Sequence, residues 1–138
     1  MDVKSKLSSL GLAQDNSVVI GSGILSALDL RESSDIDIVV TESEYQRLTN
    51  NKQFTKTENY GREILADEIF EIGTSWGVLS KDQSFSDLKE QSVIIDGVRY
   101  VTIDFLLAVK KSWLLDDDVR QKDIDDVELI ENYKKEQK

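Results

Sequence analysis

Asp35 and Asp37 stand two residues apart in Asp35-Ile36-Asp37-Ile38-Val39-Val40, a segment whose alternation reads as a β-strand. Side chains at i and i+2 share one strand face, so the two Cα atoms are about 6.5 Å apart and both carboxylates can converge on one point. Left alone they repel by about 3 kcal/mol at ~5 Å and an effective dielectric near 20. A divalent cation reverses that repulsion into attraction, and a hard, oxygen-loving ion such as Mg²⁺ is the natural guest. A solvated strand end with two exposed acids is the simpler explanation of an isolated Asp-x-Asp.

The company of the pair adds weight. Val18-Val19-Ile20 is a compact β-branched run that stops at Gly21-Ser22-Gly23, after which Ile24, Leu25 and Leu28 recur at helical spacing. Backbone N–H groups of such a strand–turn–helix connection, with the Ser22 hydroxyl, can cradle phosphate oxygens. By itself the turn is weak, since it lacks a P-loop lysine and the full spacing of the dinucleotide fingerprint.

Composition narrows the chemistry further. The 138 residues contain no Cys and no His, which excludes thiolate nucleophiles, Cys or His metal sites, a Ser-His-Asp triad and a His general base. Carboxylates and lysines must carry any reaction. The 27 acids against 17 bases give a net charge of −10, a field that disfavours a long nucleic acid. No apolar run approaches membrane-spanning length, and Met1-Asp2-Val3-Lys4 opens without the apolar stretch of a signal peptide, so the expectation is a cytoplasmic protein with no membrane partner.

Length predicts one domain over 1–138, and no Pro or clustered Gly marks a linker. Asp2 to Leu10 reads as a short helix ended by Gly11. Thr41 with Glu44 offers a capping box for a helix reaching about Thr49. Gln53 to Thr57, Glu63 to Ala66 and Ile69 to Thr74 read as an antiparallel meander, and Ser92 to Ile95 and Val98 to Thr102 as a hairpin about Asp96-Gly97. Asp104 is expected to cap a helix through Trp113, and Asp116 to Asp118 a last helix carrying Val119, Val127, Ile130 and Tyr133. The expected fold class is α+β, a small mixed, mostly antiparallel sheet with helices packed on one side. Trp76 and Trp113 are expected in the core, with Tyr60 or Trp76 as alternatives for stacking on a base.

Val19-Ile20-Gly21-Ser22, twelve residues, then Asp35-Ile36-Asp37-Ile38 resembles the signature of the polymerase-β-like nucleotidyltransferase superfamily, in particular its small stand-alone members such as antibiotic and minimal nucleotidyltransferases. The resemblance covers residues 18–40. It implies that Gly21, Ser22 and Gly23 meet the nucleoside triphosphate, and that Asp35 and Asp37 hold one or two Mg²⁺ ions. Arg31 and Ser33 resemble the loop that precedes the acids in such proteins, though a plain surface charge explains Arg31 equally well. The family usually adds a third acid on a neighbouring strand. Glu71 and Asp104 compete for it, and Glu71 is preferred because it alternates between Phe70 and Ile72 as Asp37 does between Ile36 and Ile38. Asp67 and Glu68 stand behind these two. More loosely, Val109 to Trp113 and Arg120 to Asp126 are similar to C-terminal helical elements of the same proteins, which makes Lys110 or Lys122 a candidate to offset triphosphate charge. The acid-rich Asp116 to Asp126 run reads mainly as a capped, solvated helix.

The resemblance thus implies an enzyme that transfers an NMP group from an NTP to an acceptor hydroxyl and releases pyrophosphate. A small cationic molecule or a protein side chain is the expected acceptor, with a homodimer or a partner protein supplying part of the site. Two other readings stay open: a non-catalytic, antitoxin-like module that binds nucleotide or protein with the same fold, and an α+β domain with no nucleotide at all.

Overall fold

A computed structural model describes residues 2–59 and 61–137. Nine strands and six helices follow one another as α1 (Val3–Ser9), β1 (Ser17–Ile20), α2 (Gly23–Ala27), β2 (Ile36–Val40), α3 (Glu42–Leu48), β3 (Thr55–Asn59), β4 (Arg62–Ala66), β5 (Phe70–Gly73), β6 (Ser75–Val78), β7 (Lys81–Ser84), α4 (Phe85–Glu90), β8 (Ser92–Ile95), β9 (Val98–Val101), α5 (Ile103–Trp113) and α6 (Gln121–Glu136). The fold is α+β. Seven strands form one mixed sheet in the order β3-β4-β5-β2-β1-β9-β8, and β6 and β7 form a separate ribbon. Among the described residues, only β1–β9 and β2–β5 pair in parallel.

The strand alternation sorts the core into two clusters. Val19, Ile36, Ile38, Val40, Leu65 and Ile72 project toward one face, where Leu7, Ile24, Leu25, Leu48, Leu106 and Ile130 from the helices close over them. Burying residues of this size stabilises the fold by about 1.5–3 kcal/mol each. Toward the opposite face Val18, Val39 and Val101 form a smaller cluster with Leu88 of α4, flanked by Ile20, Trp76, Phe85 and Phe105. This second face is the thinly covered one.

Local expectations hold in much of the chain. Asp2 accepts the Ser5 amide at the start of α1, and β3, β4 and β5 form the meander. In the hairpin Asp96 and Gly97 have φ of 51° and 79°, the backbone that a two-residue turn of this hand demands. Trp76 is partly buried against both clusters and packs on Phe105 and Trp113; Trp113, expected in the core, is half-buried beside it and in neither cluster, and Tyr60 lies outside the described residues.

Four expectations need correction. Thr41 caps α3, but Glu44 does not complete the box; its carboxylate bonds instead to Asn16 and Arg47. Thr102, not Asp104, caps α5, because β9 ends at Val101 and the next residue turns the chain. The last helix starts at Gln121 with no side-chain cap, so Asp116 to Asp118 and Val119 precede it. The β6–β7 ribbon and α4 were not expected at all. Leu79 and Ser80 make the ribbon's turn at φ of 56° and 61° without any glycine, and Ser84 with Asp87 forms a full capping box for α4. Among the described residues no helix is long and apolar enough to cross a membrane.

Candidate functional site

The site assembles where β1 ends and β2 and β5 begin. Asp37 is the register partner of Ile20 in the antiparallel β1–β2 pair and of Glu71 in the parallel β2–β5 pair. Directly paired residues project to the same face, so Asp37 and Glu71 lie side by side on the thinly covered face. Glu71, the preferred third acid, thus adjoins Asp37. Asp104 sits on the exposed first turn of α5, paired with Lys134. Asp67 is taken up by the turn before β5, where it accepts the amides of Ile69 and Phe70.

Asp37 has an unusual electrostatic position. Burial first, then the charge and adjacent carboxyl of Glu71, then Asp35, push its pKa up to about 6; Lys122 pulls in the opposite direction. The neighbouring turn is shaped around this carboxylate. Gly21 has φ of 64°, and a Cβ there would stand 3.2 Å from Asp37 Oδ2. Gly23 is required for a different reason, since a Cβ at that position would be 2.4 Å from Val19 Cγ1 as α2 packs down on β1. Ser22 occupies the cap position of α2 without spending its hydroxyl on the helix backbone.

A pocket of about 120 Å³ opens beside the acids. Ser22, Arg31, Ser33, Asp35, Asp37 and Lys122 are in its wall, together with Gly23. The wall thus brings together hydroxyls, two cationic side chains and three carboxylate residues, Glu32, Asp35 and Asp37. Glu71 lies next to Asp37 rather than in the pocket wall. The volume is below the ~300 Å³ lower bound of ordinary ligand sites, so it suits a phosphate-sized group better than a whole nucleoside.

Lys110 does not belong to this wall. Its side chain is 3% exposed, and Nζ donates to Asp123 Oδ1 at 2.9 Å and stands 2.8 Å from Asp126 Oδ2. It also lies 5.5 Å from the Trp113 ring centroid. The reading of Asp116 to Asp126 as a solvated helix face fails at the same place, because Asp123 and Asp126 are buried. Arg31 holds Asp126 in a two-point fork, Nε to Oδ1 at 2.7 Å and Nη2 to Oδ2 at 2.9 Å. Burial raises the pKa of both buried aspartates, but hydrogen bonds from Lys110 and Arg120 to Asp123, and from Arg31 and Lys110 to Asp126, outweigh it and hold both below the usual carboxylate value.

Among the described residues, no three acidic side chains are gathered so as to hold a metal ion by themselves. In donor type, the half-buried Asp37 facing two further carboxylates fits a hard divalent cation, whose positive charge would offset the repulsion already evident at Asp37. Compared with protein-family models, curated proteins and solved structures, the chain finds no match.

Proposed function

We propose that this protein is a Mg²⁺-dependent nucleotidyltransferase that moves an NMP group from an NTP to an acceptor hydroxyl with release of pyrophosphate. One observation carries this reading: Ser22, Arg31, Lys122, Asp35 and Asp37 line one phosphate-sized pocket, with Glu71 in register beside Asp37. A site built only to bind an anion would have no use for three carboxylates at its edge.

Asp35 and Asp37, with Glu71 adjoining, would hold the metal; Mg²⁺ is commonly bound through one or two carboxylates plus phosphate oxygens and water, which suits a site lacking a complete protein cage. When bound, the ion supplies electrostatic stabilisation of the charge that develops on the phosphate oxygens. Ser22 offers its hydroxyl and Arg31 and Lys122 their N–H groups to the triphosphate, which fixes its orientation toward the acceptor. Glu71, exposed on β5 beside Asp37, would accept the proton of the acceptor hydroxyl. Long nucleic acids remain poor acceptors for a chain of charge −10, so a small cationic molecule or a protein side chain suits the surface better. The small volume of the pocket favours a homodimer or a partner protein that completes the walls, and the proposed setting is the cytoplasm.

Calorimetric titration with ATP, GTP, CTP and UTP, with and without Mg²⁺, tests the reading. Binding that needs the metal is expected for at least one nucleotide; no binding, or equal binding in a chelator, contradicts it. For Glu71→Gln, nucleotide affinity should stay within about threefold, while pyrophosphate release falls by about 10²-fold. Unchanged release would remove Glu71 from the reaction.

A further inference from the structure

We propose that Asp126 is a positioning residue for the pocket, holding the Arg31 guanidinium in a fixed fork and standing beside the Ser22 hydroxyl, so that one buried carboxylate on α6 sets two groups of the phosphate-binding wall. The inference rests on the function proposed above and names the part of the chain that orients its binding groups.

Asp126 lies 95 residues from Arg31 in sequence and its side chain is 3% exposed. Its two oxygens receive Arg31 Nε and Nη2, Oδ2 also faces Lys110 Nζ, and Ser22 Oγ stands 3.5 Å from Oδ2. Arg31 Nη1 is tied to the Glu32 carbonyl at 2.9 Å. A guanidinium has five N–H donors in a rigid plane. Three are engaged here, and the two left over belong to a planar group that is still part of the pocket wall. An arginine on a free loop would lose rotamer freedom on meeting a phosphate; this one has already lost it on folding.

The same carboxylate places the second cation. Lys122 precedes Asp126 by four residues on α6, one helical turn, so the anchoring of Asp126 brings Lys122 over the pocket. Lys110 serves this arrangement differently. It bridges Asp126 to Asp123 and ties α5 to α6, and Asp123 in turn meets Arg120. Asp123 therefore shares the burial and the lysine of Asp126 but makes no hydrogen bond to Arg31 or Ser22, acting on Arg31 through its charge only, which makes it the natural control.

The test measures the dissociation constants of Mg·ATP and of inorganic tripolyphosphate with Mg²⁺ for the full chain and its variants, well below each melting temperature. Asp126→Asn is expected to weaken both ligands about tenfold. Asp123→Asn, which loses a comparable buried charge, should lower the melting temperature and keep both affinities within about twofold. In an Arg31→Ala background, Asp126→Asn should cost only a small further factor, because the group it positions is gone. Equal losses for Asp123→Asn and Asp126→Asn, or a full tenfold effect in the Arg31→Ala background, would show a merely structural role and overturn the inference. Should Asp126→Asn not fold, Arg31→Lys serves, since it keeps the charge on a part-exposed side chain but cannot make the fork. A loss of about fivefold or more supports the inference, and unchanged affinity overturns it. If the unaltered protein binds neither ligand, the proposed function falls and this inference with it; if it binds both and Asp126→Asn and Arg31→Lys bind equally well, only the inference falls.

Discussion

Asp37→Asn should abolish Mg²⁺-dependent nucleotide binding and at the same time make the free protein more stable at pH 7. Both effects follow from one cause. Burial and the neighbouring Glu71 and Asp35 lift the folded-state pKa of Asp37 from its ordinary 3.8 to about 6. The folded protein therefore holds the Asp37 proton more tightly than the unfolded chain does. Below pH 3.8 both states are protonated and folding pays no penalty; between 3.8 and 6 stability falls as pH rises; above 6 the full cost is present. A shift of this size corresponds to about 3 kcal/mol as an upper figure for a partly solvated group. The amide carries no charge, so the variant escapes the cost and should gain about 1–3 kcal/mol at pH 7, shrinking to nothing near pH 4. Urea unfolding at the two pH values measures this. Mg²⁺ should stabilise the unaltered protein in the presence of ATP and leave the variant unchanged. A variant less stable than the parent at pH 7 would mean that Asp37 is satisfied in the folded state, and the reason for a cation there would vanish.

Lys110→Met should cause the largest loss of stability, about 3 kcal/mol or more. The ammonium is enclosed between Asp123 and Asp126, with side-chain exposures of 3%, 5% and 3% in turn. Removing it leaves Asp126 with Arg31 alone and Asp123 with the largely exposed Arg120, so two buried carboxylates lose a buried counter-charge. Breaking a buried pair from one side typically costs about 3–5 kcal/mol, far more than the pair itself contributes. Denaturant unfolding should show the midpoint move with little change in slope. Replacing all three residues with apolar ones of similar volume should restore much of the loss, as expected if desolvation rather than a missing attraction dominates. A change under about 1 kcal/mol for Lys110→Met would contradict the enclosed geometry.

The acids of the site were readable because strand alternation states their direction. Ile36, Ile38 and Val40 must go to the core, so Asp37 must face the other way, and the same logic on Phe70, Glu71 and Ile72 put Glu71 on a matching face. Their register was not readable, since β2 and β5 are parallel and joined through α3 and two other strands. The charge network around Asp126 was hidden by composition. An acid-rich stretch has the appearance of a solvated helix, and nothing local reveals that Lys110, 13 residues from Asp123, and Arg31, 95 residues from Asp126, turn inward to meet it. The i, i+3 spacing of Asp123 and Asp126 on one helix face was the available signal. Lys110 was misplaced for the same reason: a lysine on a helix is usually solvated, and its burial is decided by carboxylates on another element. The β6–β7 ribbon escaped because its turn uses Leu79 and Ser80 in a backbone region that sequence rules reserve for Gly, Asn and Asp.

The arrangement of three acids beside a phosphate-sized pocket is tested most directly by crystals grown with Mn²⁺ and a non-hydrolysable ATP analogue, measured at a wavelength where manganese scatters anomalously. The account predicts an anomalous peak between the Asp35 and Asp37 carboxylates and the phosphate oxygens, with the triphosphate against Ser22 and Arg31. A peak elsewhere, or a nucleotide bound away from this pocket, would contradict it.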